Sequence, residues 1–225
     1  MNYIINRIDC CDSTNDELKK NSKNLDNGYV LIADRQTKGR GTKGRSFVSP
    51  MGNLYMSILF KSPIFNTSKA PFIAASAVNK TINELYNINS KIKWINDIYI
   101  NDKKVCGILC ESKYIDHNVQ HLIMGIGVNI LDSPIQGVST SIKEHYNNPN
   151  KEIFIKALLN NINHFIRKDC MVYYRNHNLI INKSIIIDNL YMATVLDIDR
   201  NGHLIIKKAD GKIITLSSAN IDLIK

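Results

Sequence analysis

The sequence GRGTKGR, residues 39–45, contains three glycines and three cations in seven positions, a composition that cannot form a buried core. Glycine lets the backbone turn sharply and lets its N–H groups approach a ligand closely. Arg40 and Arg45 suit phosphate oxygens, because a guanidinium presents a planar fork of donors. We therefore interpret the segment as an anion-binding loop that a polyanionic ligand helps to order. Taken alone, it is also typical of a solvated basic turn. It lacks the GK[ST] ending of a P-loop.

The size and charge of the chain set the first limits on its function. Its 225 residues, 44% hydrophobic and 22% charged, suit one large domain or one domain with a small appendage. The formal net charge of +9 is compatible with nucleic acid, an acidic membrane, an anionic substrate or an acidic protein partner. Because no single long run carries this charge, we interpret it as a diffuse field that attracts anions.

The cysteines indicate a reducing compartment. There are five of them, an odd number, and none forms a C-x-x-C pair, so a disulfide framework is not indicated. We expect free, mostly buried thiols. The sequence shows no secretory signal and no apolar run of transmembrane length, and we expect a cytoplasmic location without membrane contact.

Local patterns around the glycine loop predict an alternating α/β region. Compact apolar runs predict strands over residues 3–9, 29–33 and 54–60. A helix is expected to begin near Ser13 or Thr14, since either hydroxyl can cap it. The remaining pattern of this region gives helices over 71–86 and 153–168, strands over 91–94, 98–100, 105–111 and 122–130, a hairpin turn over 101–104, and a loop over 131–150. Ile153 is placed on the buried face of the second helix.

After about residue 180 the pattern changes to short β runs. They cover residues 184–188, 191–198, 203–208, 212–217 and 220–224, and tight turns such as Asn201-Gly202 and Asp210-Gly211 join them. This pattern is typical of a small β-barrel or meander. We predict a catalytic domain over residues 1–182 and a small C-terminal β-barrel domain over 183–225.

Four separated motifs identify a family when they are taken together. They are Ser13-Thr14-Asn15, the loop from Gln36 to Pro50, the KWIND hairpin from Lys93 to Gly107, and GIGVN at 125–129. In this order they resemble the biotin protein ligases, strongly over residues 9–131 and more weakly to the C-terminus. The resemblance implies an α/β (α+β) catalytic domain with a mixed β-sheet, followed by a Src-homology-like β-barrel. The chain leaves no room for an N-terminal winged helix, so we expect a mono-functional enzyme.

The resemblance also implies a two-step, ATP-dependent ligase reaction. Biotin is activated as biotinyl-5'-AMP, and the acyl group then passes to a lysine of a biotin carboxyl carrier protein, as in acetyl-CoA carboxylase. Biotin, ATP and magnesium are the implied small molecules, and the carrier protein is the implied partner. No DNA partner is expected, and a homodimer stays open because an exposed sheet edge can pair.

The family motifs assign roles to particular residues. The implied catalytic residues are Lys104, Asp97, Arg40 and Lys93. The implied biotin contacts are Ser13, Thr14, Asn15, Gln36, Gly39, Arg40, Gly107, Gly125 and Gly127. The implied ATP and adenylate contacts are Arg40, Gly41, Thr42, Arg45, Phe47, Lys104 and Asn129. Cations are required because the first step joins two anions. Asp97 is expected to accept a proton from the incoming amine and is the candidate magnesium ligand; its alternative role is a turn residue paired with Lys93.

Four places depart from the family pattern, and one of them is the tail, where Ser217-Ser218-Ala219-Asn220 stands and a glycine is common. Thr42 stands where better-known members carry an arginine, Phe47 replaces a tryptophan, and Ile95 replaces the proline of KWPND. The departure at Thr42 removes a cation next to the phosphate. We therefore predict that this chain holds its adenylate less tightly than relatives with the arginine.

Two other functions fit parts of the sequence. A lipoate or octanoate ligase shares the architecture, although the Gly-Arg-Gly loop with KWIND favours biotin. A basic nucleic-acid-binding module is suggested by the net charge and the Arg/Gly loop, and it would show steep salt dependence on random duplex.

Overall fold

The computed structural model describes residues 1–61, 63 and 65–224, and a mixed seven-stranded sheet forms its centre. Its strands are β1 (Ile4–Cys11), β2 (Tyr29–Gln36), β3 (Leu54–Lys61), β4 (Lys91–Lys93), β5 (Asp97–Ile100), β6 (Lys103–Ile115) and β7 (Asn118–Val128). They lie in the order β1-β2-β3-β7-β6-β5-β4. Only the β1–β2 pair is parallel, and each other neighbouring pair is antiparallel. The predicted α/β class with a mixed sheet is confirmed.

Helices cover both faces of this sheet. They are α1 (Thr14–Asn21), α2 (Ala70–Tyr86), α3 (Lys151–Arg167) and α4 (Met171–Asn176). Helices α2 and α3 close the main hydrophobic core on one face. On the other face, α1 packs through a small cluster in which Leu18 contacts Leu31, Leu59 and Ile123. A fully buried side chain of this size contributes about 1.5–3 kcal/mol, so one leucine anchors α1 while its polar first turn remains available for other contacts.

The alternation of side chains along β3 determines which residues of the strand contact α1. Successive side chains of a strand point to opposite faces of its sheet. Met56 and Ile58 therefore belong to the core beneath α2 and α3, whereas Ser57 and Leu59 face α1. Ser57 is completely buried although it is polar, so it requires hydrogen-bond partners from α1.

The C-terminal part of the chain forms a second, fully antiparallel sheet. Its strands are β8 (Ser184–Ile187), β9 (Tyr191–Ile198), β10 (Leu204–Lys208), β11 (Ile213–Leu216) and β12 (Ile221–Leu223), in the order β11-β10-β9-β8-β12. The five predicted β runs correspond to these strands. Within residues 184–224, no ladder joins the edge strands β11 and β12 to close a barrel. The domain boundary at residue 182 stays a prediction. Lys225, the last residue of the predicted C-terminal domain, lies outside the described residues.

The second sheet is attached to the first by specific contacts. The Trp94 indole N–H donates to the carbonyl of Gly202 at 2.9 Å, in the turn between β9 and β10. The Phe72 ring of α2 lies directly beneath the same glycine: a Cβ added there would be 2.0 Å from the ring. Arg175 of α4 donates through Nε and Nη2 to the carboxylate of Asp197 on β9, which makes a bidentate ion pair. The turn at Gly202 is therefore held from two sides by the larger sheet and its helices.

Local expectations differ from the structure at several points. Strands β6 and β7 continue through residues 112–115 and 118–121, where no strand was predicted. The short helix α4 was not predicted. Ile153 is 56% exposed, because the buried stripe of α3 runs through Phe154, Leu158 and Ile162 instead. The five cysteines are free, as predicted, but burial is found for Cys106 and Cys170 alone, whereas Cys10, Cys11 and Cys110 are partly exposed. Among the described residues, no helix has both the length and the apolar character needed to cross a membrane.

Two glycine substitutions separate steric overlap from backbone strain. Gly202 and Gly211 both adopt φ of +85°, but an added Cβ meets Phe72 at the first position and open space at the second. Gly211→Ala should therefore cost about 1 kcal/mol of unfolding free energy from backbone strain alone. Gly202→Ala should cost roughly 2–4 kcal/mol because overlap is added. Urea unfolding of both variants measures the difference, and equal losses would contradict the proposed packing of Phe72.

Candidate active site

A cavity of about 210 Å³ lies between the first turn of α1, the glycine loop and the face of the large sheet that α1 covers. Strands β3, β7 and β6 supply its floor. Its lining consists of Ser13, Thr14, Asn15, Gln36, Arg40, Gly41, Thr42, Arg45, Ser46, Phe47, Tyr55, Asn96, Asp97, Lys104, Gly107, Ile108, Leu109, Gly125, Ile126 and Gly127. The four sequence motifs therefore meet in one place.

The floor of the cavity takes its shape from strand register. Ser57, Gly125 and Leu109 lie side by side on β3, β7 and β6. The next row toward the glycine loop consists of Tyr55, Gly127 and Gly107. Because β7 carries glycine in both rows, side chains from above reach the backbone of the sheet.

Other protein side chains occupy the space above these glycines. A Cβ added to Gly125 would lie 2.2 Å from Asn15 Oδ1, and one added to Gly127 would lie 2.5 Å from the Phe47 ring. Both glycines are biotin contacts implied by the family resemblance. In the structure, the groups that approach are the Asn15 amide and the Phe47 ring. Both glycines therefore already have a packing role without any ligand.

A buried hydrogen-bond network forms one end of the cavity. Ser57 Oγ lies 2.6 Å from Asn15 Oδ1 and 2.7 Å from Thr14 Oγ1. The backbone N–H and the hydroxyl of Thr14 both donate to Gln36 Oε1, at 2.9 and 3.2 Å. Gln36 Nε2 in turn donates to Ser49 Oγ at 3.0 Å. Thr14 and Asn15 are each 4% exposed, so these bonds fix their side chains in a low-dielectric environment.

The glycine loop folds as a tight antiparallel turn above the cavity. The Gly41 N–H donates to the Arg45 carbonyl at 2.7 Å, and the Phe47 N–H donates to the Gly39 carbonyl at 2.8 Å. Lys43, at the tip, has a left-handed φ of 57°. That a polyanion orders this loop stays a prediction.

Each cation of the loop has its own partner. Arg40 Nη2 lies 2.7 Å from Asp16 Oδ1 and 2.7 Å from Glu111 Oε2. Lys43 Nζ donates to Asn220 Oδ1 in the second sheet at 2.8 Å. Arg40 is therefore held by α1 and β6, and Lys43 is held by the second sheet. The third cation, Arg45, bonds to Thr42 of the loop itself.

Arg45 bonds within the loop. Its Nη2 donates to Thr42 Oγ1 at 3.1 Å, and its Nε donates to the Thr42 carbonyl at 3.3 Å. No carboxylate of the described residues forms a salt bridge with Arg45, so its charge is not neutralised by a direct partner. This charge is therefore available to an anion in the cavity.

Lys104 and Asp97 form an ion pair at the opposite wall. Lys104 Nζ lies 2.7 Å from Asp97 Oδ1, with side-chain exposures of 30% and 21%. The same ammonium lies 6.0 Å from the centre of the Phe47 ring. A cation, a carboxylate and an aromatic ring therefore meet at the end of the cavity away from Thr14 and Asn15.

Three residues predicted for the site do not line the cavity. Gly39 packs behind the loop, where an added Cβ would lie 2.4 Å from the Phe47 carbonyl oxygen. Lys93 pairs with Asp97 in the β4–β5 ladder, and its Nζ lies 5.5 Å from the Tyr99 ring centre. The buried Asn129 donates through Nδ2 to the Thr140 carbonyl at 3.0 Å, and its Oδ1 has no partner among the described residues. The predicted roles of all three stay predictions.

Asp97 has few neighbours that bind metals. Among residues 1–61, 63 and 65–224, no three His, Cys, Asp or Glu side chains are grouped as metal ligands. Magnesium, however, is typically held by one or two carboxylates together with substrate phosphates. The donor set therefore fits a magnesium ion that arrives with a phosphate ligand and does not fit a resident metal centre.

A family model now gives these features a common context. The model described as the Biotin/lipoate A/B protein ligase family matches residues 7–129, more than half of the chain. The chain belongs to this family. The matched region contains every residue that lines the cavity.

Individual members of the biotin/lipoate ligase family show how far the likeness extends. The bifunctional ligase/repressor BirA of Bacillus subtilis is 36% identical over 132 residues, 55% of this chain and 41% of the relative. The biotin–[acetyl-CoA-carboxylase] ligase of Paracoccus denitrificans is 34% identical over 130 residues, 56% of this chain and 54% of the relative. The chain thus covers about half, or less, of these curated relatives.

Among solved structures, the whole chain is similar to a biotin protein ligase from Aquifex aeolicus in complex with biotin and ATP. The TM-score is 0.81 with 27% sequence identity, and the match covers 98% of each chain. It includes the second sheet, which the family model does not reach. The family resemblance predicted from the four motifs is confirmed.

Sequence reasoning missed several polar residues of this ligase-family site. Ser57 is the polar residue in the otherwise apolar run LYMSILF, and that interruption was a usable signal. Tyr55 donates its hydroxyl to the Pro50 carbonyl at 2.7 Å, and burial raises its pKa, so it remains a neutral phenol. Glu111 and Asp16 hold Arg40, and no local pattern indicated this because the three residues are distant in sequence.

Two further glycine substitutions test the packing of the cavity floor. Gly125→Ala should lower the free energy of unfolding by about 2–3 kcal/mol, because the hydrogen-bonded Asn15 amide cannot move away. Gly107→Ala should cost less than about 1 kcal/mol, since its nearest neighbours, at 3.0 and 3.2 Å, are the movable side chains of Phe47 and Lys104. Chemical denaturation of the two variants measures this order, and a larger loss in Gly107→Ala would refute it.

Proposed function

We propose that this chain is an ATP-dependent ligase that activates biotin as biotinyl-5'-AMP and transfers the biotinyl group to a lysine of a biotin carboxyl carrier protein. The observation that carries this proposal is the polarity of the cavity. One end is a hydrogen-bonded pocket formed by the uncharged side chains of Thr14, Asn15 and Gln36, and the other end carries Arg45 and Lys104. Biotin has the same division, with a neutral ureido ring and a carboxylate joined by an apolar chain.

The ring pocket supplies the groups that a ureido ring requires. A ureido group has two N–H donors and one carbonyl acceptor. The hydroxyls of Ser13 and Thr14 can donate or accept, and the Oδ1 of Asn15 and the Oε1 of Gln36 accept only. Ser13, Thr14 and Asn15 are buried, and Thr14 bonds to Gln36 and shares Ser57 as a partner with Asn15, so these orientations are set before the ligand binds. We assign ring recognition to them.

The middle of the cavity suits an acyl chain. Leu109 lines it with its side chain next to Gly107 and Gly125, whereas Ile108 and Ile126 contribute backbone, because their side chains belong to the core on the opposite face. These positions offer aliphatic surface and exposed backbone without a charge. An acyl chain gains about 25 cal/mol for each Å² of apolar surface removed from water. We assign this segment to the chain that links the ring to the carboxylate.

The cationic end supports the first step. A carboxylate oxygen of biotin attacks the α-phosphorus of ATP, the new C–O–P anhydride forms, and pyrophosphate leaves. Both reactants are anions, so the reaction requires fixed positive charge between them. Lys104 and Arg45 are the cations of the lining that suit this role; Lys93 would act from the adjoining hairpin. Magnesium would neutralise the leaving pyrophosphate, with Asp97 as its protein ligand.

Asp97 supports the second step. The amine of the carrier lysine attacks the acyl carbon of the anhydride, an amide bond forms, and AMP leaves. A free lysine has a pKa of about 10.4, so only about one in 2,500 is neutral at pH 7. A carboxylate close to the anhydride accepts the proton that the amine must lose. Asp97 is partly exposed at the mouth of the cavity, where an approaching amine can reach it.

The adenosine part is assigned to two residues. Phe47 presents an aromatic ring above Gly127, and aromatic faces stack on nucleobases. Asn129 lies beneath this region on the continuation of β7, and its buried Oδ1 has no partner in the described part of the chain. An unpaired buried acceptor suits an exocyclic amino group such as that of adenine.

The alternatives predict different ligands. A lipoate or octanoate ligase needs no polar ring pocket, since a dithiolane ring or a plain acyl chain makes no N–H hydrogen bonds. The bonded pocket around Thr14 and Asn15 therefore favours biotin. A nucleic-acid module requires cations free to contact phosphates, whereas Arg40 is paired with two carboxylates.

The carrier protein as partner belongs to the proposal. The cytoplasmic location, the absence of a DNA partner and the possible homodimer stay predictions.

The first experiment incubates the protein with biotin, MgATP and a purified biotin carboxyl carrier domain, followed by mass spectrometry. We expect the mass of one biotin on a single lysine. Lys104→Ala should slow this reaction by at least about a hundredfold, because it removes a cation from the charged end of the cavity. The control is Lys103→Ala, which removes the neighbouring exposed lysine of β6. A mass gain with lipoate and none with biotin would move the chain to the lipoate branch.

A second experiment tests the role of Thr42. Its hydroxyl accepts from Arg45 within the loop, so Thr42→Arg both adds a cation and releases Arg45 toward the phosphate. We expect biotinyl-5'-AMP to dissociate roughly tenfold more slowly from this variant. Thr42→Val, which removes the hydroxyl without adding charge, is the matched control. Stopped-flow or filter-binding measurement of the off-rate decides the matter, and an unchanged rate in Thr42→Arg would refute the prediction.

A further inference from the structure

Glu111 contacts two parts of the site without lining the cavity. It lies on β6, two residues beyond Leu109 on the same face of the sheet, and its side chain is 25% exposed. It stands behind the first turn of α1, so the cavity wall separates it from any ligand. Its effect on a ligand must therefore pass through other residues.

One oxygen of Glu111 accepts two hydrogen bonds. Oε2 accepts from Asn15 Nδ2 at 2.9 Å and from Arg40 Nη2 at 2.7 Å. Burial alone raises the Glu111 pKa, but the bonds from Asn15 and Arg40 outweigh burial and hold the pKa below its ordinary value. Glu111 therefore remains a carboxylate and an acceptor of both bonds at neutral pH.

The bond to Asn15 fixes which way its amide faces. Asn15 Nδ2 also donates to the Leu109 carbonyl at 3.2 Å, so both amide protons have partners on β6. Its Oδ1 must then point to Ser57 and Gly125, on the side of the cavity floor. Asn15 is thus an acceptor toward the cavity, never a donor, and Glu111 is one of the two groups that impose this choice.

The bond to Arg40 fixes the glycine loop. Arg40 is paired with Asp16 of α1 and with Glu111 of β6 at equal distances. These three side chains together carry a net charge of −1, so the guanidinium offers no free positive charge to a phosphate. Arg40 ties the loop to the sheet and to α1, and Arg45, which has no carboxylate partner among the described residues, is left to meet the anions together with the Lys104–Asp97 pair.

We propose that Glu111 is a positioning residue whose single carboxylate oxygen ties the Asn15 amide to the Arg40 guanidinium, so that the ring pocket and the glycine loop close as one unit. This inference rests on the proposed function for its ligand, biotin. It assigns to Arg40 the role of a tether, in place of the phosphate contact predicted from the family motifs. It also explains why a carboxylate stands on β6 at the edge of an otherwise neutral pocket.

The carboxylate is required because both donors need an acceptor. In Glu111→Gln, the amide oxygen can serve Asn15 or Arg40, and the amide nitrogen then faces the other donor. The variant keeps the size of the side chain but breaks one of the two bonds. Glu17→Gln on α1 is the matched control. It makes the same chemical change, and Glu17 forms no side-chain hydrogen bond or ion pair among the described residues.

The experiment uses the full chain with two independent measurements. Trypsin cleaves after Arg40, Lys43 and Arg45, so mass spectrometry of a limited digest without ligand reports how firmly the loop is held. Steady-state biotinylation of the carrier domain gives KM values for biotin and for ATP. In Glu111→Gln we expect loop cleavage about tenfold faster and a biotin KM roughly tenfold higher. The ATP KM should rise as well, because the loosened loop carries Arg45, while the thermal midpoint should stay near that of Glu17→Gln.

Each outcome decides the proposal. If Glu111→Gln matches Glu17→Gln in both measurements, Glu111 positions nothing. If both KM values and the thermal midpoint change together, Glu111 is merely structural and the proposal is wrong. If the wild-type chain fails to biotinylate the carrier, the proposed function fails and the role in biotin binding fails with it. The digest without ligand still shows in that case whether Glu111 holds the loop.

Discussion

The buried hydroxyl of Ser57 is the contact on which the polar site depends. It lies within 2.7 Å of side chains from two successive residues of α1, and its immediate neighbours on β3, Met56 and Ile58, are apolar. A buried polar group without a partner costs about 1–3 kcal/mol, so the strand and the helix must meet in one register. That register places Asn15 over Gly125 and aligns Thr14 with Gln36. The shape of the cavity follows from this alignment.

Charge is distributed in the site more selectively than the net charge suggests. The chain carries a formal charge of +9, yet Arg40 is neutralised by two carboxylates and Lys104 has Asp97 at 2.7 Å. Arg45 has only neutral oxygens as partners. Positive charge without a carboxylate partner is thus found at Arg45, at one end of the cavity, while uncharged side chains such as Thr14 and Asn15 face the other end. A ligand with a polar neutral head and an anionic tail fits in only one orientation.

Much of the fold could be predicted from local patterns, because strand alternation, helix caps and Asn-Gly turns act over a few residues. The start of α1 at Ser13 and the five short C-terminal strands are examples. The site was predicted at the level of motifs, and most of the named residues line one cavity. The hydrogen bonds and ion pairs within the site were not predictable in this way. Glu111 meets Arg40 across 71 positions, and only sheet register brings them together. Helix α4 was missed because six residues carry too little periodicity.

The bond between Lys43 and Asn220 joins positions 177 residues apart, at the tip of the glycine loop and at the start of β12. Asn220 is itself held by mutual hydrogen bonds with Asp188 in the turn after β8. The last strands of the chain therefore supply a hydrogen-bond partner for the tip of the glycine loop. A chimera that takes residues 184–224 from a relative without asparagine at this position would leave the Lys43 ammonium without its acceptor, although every cavity-lining residue would be unchanged.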